Sequence, residues 1–285
     1  MRNTLWSPSH MPSSSPAEQL DVLSIQSGVM AGAVGNDAAG PIYAQRDLKA
    51  ARLDTVRLAA HPGHGVMRAH TTPANTLSEL LADFFSLPQA DNLKLIQTGY
   101  FGAAKQVSIV AGHIRSYRDT HPSCQFLCDP VLGDSGRLYV DSAIRDEINT
   151  HLLPLADYLT PNLFELSNLT GTLIETCDDA FRSAGALLSE TRLSRCRAIL
   201  VTGVPHSNGT MTDCLVTRTS QDIIHASAST GGISGSGDTL AALMIAHLLS
   251  YPDDDIASAA KAACSVTSRL MANAPSPLTM SVDLS

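Results

Sequence analysis

The stretch Gly231-Gly232-Ile233-Ser234-Gly235-Ser236-Gly237-Asp238, followed by Thr239-Leu240-Ala241-Ala242-Leu243-Met244-Ile245-Ala246-His247-Leu248-Leu249, decides how the chain is read. Four glycines in seven residues suit neither helix nor strand, whereas the Ala-, Leu- and Met-rich run after Asp238 is a strong helix former. A glycine loop therefore runs directly into a helix. The backbone N–H groups and positive dipole end of such a start suit a phosphate, and glycine lets the backbone come close to it. Asp238, in or beside the first turn, is placed to take a proton from a hydroxyl that attacks the phosphate. Glycine-rich helix starts with a nearby acid are common in α/β proteins, so the weight falls on what surrounds this one.

The 285 residues suffice for one large α/β domain or two small ones, and 44% hydrophobic residues supply a sizeable core. A net charge of -8 without a basic run argues against a nucleic-acid partner. No apolar run has the length needed to span a bilayer, which argues against a membrane protein. Cys124, Cys128, Cys177, Cys196, Cys214 and Cys264 are scattered, form no zinc signature, and read as reduced cytoplasmic thiols. Residues 1–18 are Ser- and Pro-rich and read as a flexible extension, leaving 19–285 as a single domain.

Outward from the glycine loop, strands and helices alternate. Strands are predicted at Leu20–Gln26, Thr55–Ala60, Leu93–Gln97, Gln125–Cys128, Asp157–Leu159 and Ala198–Val201, with an antiparallel pair at Met211–Val216 and Ile223–Ala228. Helices are predicted over Asp37–Ala51 (capped by Asn36), from Pro73 to Phe85 (capped by Thr72), Ala103–Tyr117, Ser142–Leu152, from Leu163, Asp178–Thr191, Ser236–Leu249 and Asp253–Ala272. This order implies a three-layer α/β/α architecture around a mostly parallel sheet. Ligands then sit beyond the carboxyl ends of the strands. That rule selects the loops at Ser27, His61, Tyr100, Asp129, Asn162, Thr202 and the glycine loop.

Two further motifs lie in those loops. Cys128-Asp129-Pro130-Val131-Leu132-Gly133-Asp134 puts an acid at the end of a buried strand, where Pro130 enforces extension. Asp129 there either faces phosphates through Mg²⁺ or its waters, or bonds local backbone N–H groups. In Thr160-Pro161-Asn162-Leu163-Phe164-Glu165, Asn162 and Glu165 have capping-box spacing. The same pair can also serve a nucleotide, Asn162 near its phosphates and Glu165 orienting the water ligands of Mg²⁺.

Asp-Pro-Val-x-Gly, Thr-Pro-Asn-x-x-Glu and Gly-x-Gly-Asp, in this order, resemble the vitamin-kinase branch of the ribokinase-like superfamily. Ile25-Gln26-Ser27-Gly28-Val29-Met30-Ala31-Gly32-Ala33-Val34-Gly35-Asn36-Asp37-Ala38-Ala39 and Thr98-Gly99-Tyr100 resemble the pyridoxal kinase family within it. The resemblance covers about residues 20 to 272. It implies ATP-dependent phosphorylation of the 5′-hydroxymethyl of pyridoxal or a close B6 vitamer, with ATP and Mg²⁺, a monovalent cation being left open. It also implies a cytoplasmic homodimer. By position, Ser27 would bond the pyridine nitrogen, Tyr100 would pack on the ring and Asp238 would be the base. Gly235, Ser236 and Gly237 would supply the backbone anion hole. Asp129 and Glu165 would serve Mg²⁺ and ATP, with Asn162 and Thr202 near the nucleotide. Small residues at Gly28, Ala31 and Ala33, where the family carries larger ones, imply a widened vitamer pocket. Pro62-Gly63 replaces a Thr-Gln pair, and His64 beside it is a candidate substrate contact. Thr202 stands where some members have Lys. Hydroxymethylpyrimidine kinase and a weakly catalytic B6-binding protein are the rival readings; Ser27 and Gly-Asn-x-Ala-Ala favour pyridoxal kinase over the former, and the intact Asp238 and glycine loop argue against the latter.

Overall fold

Alternating side chains along the central strands split the core in two. Val22, Leu95, Leu127 and Leu200 pack to one side, and Leu23, Ile96, Phe126 and Ile199 to the other. The computed structural model describes residues 19–65, 68–134, 136–207, 209–224 and 233–274. Its strands are β1 (Val22–Val29), β2 (Ala50–Leu58), β3 (His70–Thr71), β4 (Leu95–Thr98), β5 (Gln125–Cys128), β6 (Gly133–Asp134), β7 (Arg137–Leu138), β8 (Tyr158–Leu159), β9 (Ala198–Pro205), β10 (Met211–Thr217) and β11 (Gln221–Ile224). The helices are α1 (Asn36–Gln45), α2 (Ala74–Phe85), α3 (Ala104–Thr120), α4 (Ser142–Glu147), α5 (Leu163–Thr170), α6 (Cys177–Ser189), α7 (Ser236–Ser250) and α8 (Ile256–Ala272).

Nine strands form one sheet in the order β11-β10-β9-β8-β5-β4-β1-β2-β3, and β6 and β7 form a separate ribbon. The six strands from β9 to β2 are mutually parallel; β10, β11 and β3 add antiparallel edges. Helices α1, α7 and α8 cover one face and α2 to α6 the other, which gives the three-layer α/β/α fold. Helix α7 is buried on nearly every side, so its unbroken Ala-Leu-Met-Ile composition is that of a helix packed between others. The order of strand addition reverses at β1: β2 lies to one side of it and β4 to the other. The crevice beyond their carboxyl ends is the topological switch point, where open α/β sheets take ligands. Ser27 closes one side of this crevice and Thr98-Gly99-Tyr100 the other.

Several sequence expectations change. Strand β1 runs through Ser27 and Gly28 rather than ending before them, because β2 holds an extra residue opposite: Gln26 pairs with Asp54, but Gly28 with Arg57. Asn36 is the first residue of α1, not its cap; Gly35 takes the cap position with φ 55°, and no side chain caps the helix. The Asn36 amide instead ties strands together, donating to Gln26 O (3.3 Å), Leu53 O (3.2 Å) and Asp54 Oδ1 (2.7 Å). Thr72 likewise gives its hydroxyl to Asp54 O (2.7 Å) rather than capping α2. Helix α1 stops at Gln45, and β2 starts at Ala50, earlier than expected. The helix expected to Leu152 is α-helical only to Glu147 and continues as a π-turn. The proposed extension 1–18 and the end of the strand expected to Ala228 lie outside the described residues. Among the described residues no helix is long and apolar enough to cross a membrane, and all six cysteines are free.

Candidate active site

Strand β5 delivers Asp129 as Pro130 ends it. Asp129 is buried, its N–H bonded to Thr98 O (3.0 Å). Helix α5 delivers Glu165. Here the capping box is real: Glu165 N–H donates to Asn162 Oδ1 (2.8 Å) and Asn162 N–H to Glu165 Oε2 (2.8 Å). Glu165 Oε1 also accepts the Leu132 N–H (2.9 Å), which binds the Asp129 loop to α5. Asn162 Nδ2 donates to Gly133 O (2.8 Å), so both ends of that amide are committed within the protein. Thr202 comes alongside through a parallel bridge to Asn162, its N–H on Pro161 O (3.0 Å).

Helix α7 delivers Asp238 from the opposite layer. Asp129 Oδ2 lies 3.9 Å from where a Cβ on Gly237 would stand. Burial raises the Asp129 carboxyl well above the usual carboxylate range, and the charges of Glu165 and then Asp238 raise it further. Burial pushes Glu165 up to about 8 despite the N–H groups of Asn162, Leu132 and Gly133. Burial raises Asp238 too, opposed by the Gly35 N–H that its carboxylate accepts. Three acids that each resist ionisation beside one another form a place prepared for positive charge. Thr160 hydrogen-bonds the Asp129 carboxyl, which opposes part of that carboxyl's rise. No group of three His, Cys, Asp or Glu among the described residues converges closely enough to hold an ion unaided.

Glycine loop and β1–α1 loop meet backbone to backbone. Gly235 has φ 86°, and a Cβ there would stand 1.9 Å from Ala33 O. Gly35 has the same role against β1: a Cβ would meet Ser27 O at 2.1 Å and Ser27 Oγ at 2.6 Å. The Ser27 hydroxyl and the Asp238 carboxylate therefore both adjoin Gly35, a residue that sequence reading treated only as part of a motif. Its signal was the positive φ that a Gly before Asn at a helix start permits. Of the three expected anion-hole residues, Ser236 spends its N–H on Ile233 O (3.1 Å), leaving Gly237 and Asp238 as the helix-start donors. Gly231 and Gly232 lie outside the described residues.

The expected widening of the pocket is not found at Gly28. A Cβ there would meet the Asp54 carboxylate at 2.7 Å, so Asp54 occupies that space. Asp54 is held by Asn36, Arg52 and Arg57, and Arg52 also pairs with Asp37 (2.8 Å). Asp37 in turn accepts the Val29 N–H (2.7 Å), bracing β1 just past Ser27. Ala33 fills its space with its own carbonyl against Gly235. Tyr100 is partly buried beside Val29, Val56 and Leu58, with its carbonyl fixed by the Thr55 hydroxyl (2.6 Å). His64 is exposed, and it is His61, overlooked as a contact, that reaches the glycine loop at Ser234.

A doubly wound sheet with a glycine loop, a carboxyl at the helix start that follows it and further buried acids defines an α/β kinase of ribokinase-like fold. The family model for phosphomethylpyrimidine kinase matches residues 54–281. A pyridoxal kinase of Deinococcus radiodurans is 34% identical over 198 residues, 68% of this chain and 65% of the relative, just under two thirds of its length. A pyridoxine/pyridoxal/pyridoxamine kinase of Bordetella bronchiseptica is 32% identical over 235 residues, 81% of each chain. The Leishmania donovani pyridoxal kinase solved with ADP and pyridoxine superposes with a TM-score of 0.80 at 25% identity, over 88% of this chain and 89% of that one. The chain belongs to the pyridoxal kinase family.

Proposed function

We propose that this chain is an ATP-dependent pyridoxal kinase that phosphorylates the 5′-hydroxymethyl of pyridoxal. The observation that carries this reading is the junction at Gly35, where the Ser27 hydroxyl and the Asp238 carboxylate meet across one residue. A ring nitrogen bonded to Ser27 leaves its hydroxymethyl arm pointing along the crevice toward Asp238. Asp238 accepts the proton as the hydroxyl oxygen attacks phosphorus, and the ADP oxygen leaves. The amides of Gly237 and Asp238, with the positive end of α7, face the charge on the transferred group. Tyr100 walls the ring, and Asn162 and Thr202 border the nucleotide.

Asp129 and Glu165 fit a Mg²⁺ bound through water and phosphate oxygens, since neither has enough neighbours to cage the ion and each is raised by burial beside another acid. When bound, Mg²⁺ neutralises phosphate charge. The relatives' names favour pyridoxal over hydroxymethylpyrimidine. A cytoplasmic homodimer completes the reading; the free thiols agree with the compartment, and sedimentation tests the dimer. The deciding assay supplies ATP and Mg²⁺ with pyridoxal, pyridoxine or hydroxymethylpyrimidine and measures each phosphorylated product. Pyridoxal 5′-phosphate is expected as the preferred product. Turnover of hydroxymethylpyrimidine alone overturns the reading, as does tight vitamer binding without turnover.

A further inference from the structure

We propose that His61 is a positioning residue that holds the glycine loop in its working shape through Ser234. The two side chains, 173 positions apart in sequence, approach with Ser234 Oγ 3.4 Å from His61 Nδ1. That nitrogen also accepts the Gly63 N–H at 3.1 Å. It is therefore the unprotonated nitrogen of a neutral ring, and Ser234 is the donor. Burial and the nearby His64 both favour the neutral ring.

His61 is well anchored for this task. Pro62 opens a tight turn closed by His64 N–H on His61 O (3.0 Å) and Gly65 N–H on Pro62 O (3.0 Å). The chain just before it is pinned to the β1–α1 loop by Met30 N–H on Leu58 O (3.0 Å) and Ala31 N–H on Ala59 O (2.9 Å). Ser234 sits in a short glycine-rich turn closed by Ser236 N–H on Ile233 O (3.1 Å), with Gly235 next and Gly237 three residues on. Such a segment has more freedom to lose than any other composition. Its other fixed point is the backbone contact of Gly235 with Ala33 O. The His61 contact is thus a side-chain restraint on the residue next to the anion-binding turn, applied from a loop outside the nucleotide half of the crevice.

Loss of the restraint leaves ground-state vitamer binding in place and spreads the glycine loop over more conformers, so it lowers kcat. This catalytic readout rests on the kinase reading. His61→Ala and Ser234→Ala are each expected to lower kcat roughly 2- to 12-fold, the range of one neutral hydrogen bond. KM for pyridoxal should stay within about twofold by the same arithmetic. The double variant should be no worse than either single one, because both break one contact. His61→Asn should recover most of the rate, since its Oδ1 accepts from the same donors. Additive losses overturn the proposal. So does a rise in KM for pyridoxal in His61→Ala that Ser234→Ala does not share, which would make His61 a direct vitamer contact. Hydrogen exchange of the ligand-free protein supplies a second readout: amides within 233–238 should exchange faster, and to the same degree, in both alanine variants. Unchanged exchange overturns the restraint whatever the catalytic result. If the wild-type protein makes no pyridoxal 5′-phosphate, the kinase reading fails while this exchange comparison still decides the role of His61.

Discussion

Around Glu165, one carboxylate gathers backbone amides from its own helix start and from the Asp129 loop. Leu132, Asn162 and Gly133 all point their N–H groups at one carboxylate, and Asn162 closes the same knot. Around Ser27 the means are different. Backbone lies directly on backbone at Gly35 and Gly235, and an ionic cluster of Asp37, Arg52, Asp54 and Arg57 braces β1 from outside. On the proposed reading the Asp129–Glu165 side is the nucleotide half, whose buried acids suit a cation, and the Ser27 side is the vitamer half. The vitamer half concentrates small residues and lets one layer of loops touch the next. Asp238 belongs to both halves, adding to the charge felt by Asp129 while accepting the Gly35 N–H.

The largest effect should follow from removing that shared residue. Asp238→Asn is expected to lower kcat by about 10²- to 10⁴-fold with nucleotide binding retained, measured by steady-state rates and ADP titration. Near wild-type turnover would take Asp238 out of the chemistry and leave the halves joined by structure alone. In the wild type, kcat should fall on acidification through a carboxyl that titrates above the usual range, because burial raises Asp238 and only its ionised form accepts a proton.

Next in size is the vitamer half on its own. Ser27→Ala leaves a buried polar group of the substrate unpaired, which costs about 1–3 kcal/mol. KM for pyridoxal should rise roughly 5- to 150-fold while KM for ATP stays nearly fixed. Equal losses for both substrates would show that Ser27 supports the fold, and that the two halves are less separate than their construction suggests.

How far each half was legible follows from how it is built. The nucleotide half rests on local rules: a proline after a strand acid, and an Asn and Glu at capping-box spacing. Both can be read from a few consecutive residues, and the box was. The vitamer half rests on pairings between distant segments. Gly28 reads as space left open beside Ser27, yet Asp54 on the neighbouring strand fills it. Asn36 reads as a cap, yet its amide crosses to Leu53 and Asp54. His61 and His64 share one pentapeptide, and only the direction of the Pro62 turn decides which one faces Ser234. The strand order could be guessed only as mostly parallel, whereas the switch point at β1 needed the pairings themselves.

A smaller effect tests the charge of the nucleotide half. A carboxyl raised from 4.5 to about 8 binds more protons folded than unfolded, so its contribution to stability is full below 4.5 and is lost as pH rises toward 8. In metal-free buffer Tm should therefore fall across that window more steeply in wild type than in Glu165→Gln. The variant should also need more Mg²⁺ for half-maximal rate. If Glu165 is a cap alone, its replacement costs about 0.5–2 kcal/mol and leaves the Mg²⁺ curve unmoved.

The smallest effect concerns Gly28, where the reading of the vitamer half as a stripped pocket and the structure part company. Its φ lies outside the left-handed region, so alanine is conformationally allowed, and the reduced freedom of the unfolded chain would by itself stabilise by about 0.4–1 kcal/mol. Against this stands a Cβ placed 2.7 Å from the Asp54 carboxylate. A flexible carboxylate could swing aside cheaply, but this one is held by Asn36, Arg52 and Arg57. Moving it loosens the brace on β1, and overpacking of this kind costs about 1–3 kcal/mol. Gly28→Ala should therefore be net destabilising in urea unfolding. Asp54→Ala should be destabilising as well, since Arg52, Arg57 and the Asn36 amide each lose an acceptor. In the double variant alanine at position 28 should cost nothing, giving a coupling of about 0.5–3 kcal/mol. A Gly28→Ala protein that melts like wild type but binds pyridoxal less well would mean that the space beside Ser27 belongs to the vitamer after all, and that Asp54 is a movable wall of the pocket.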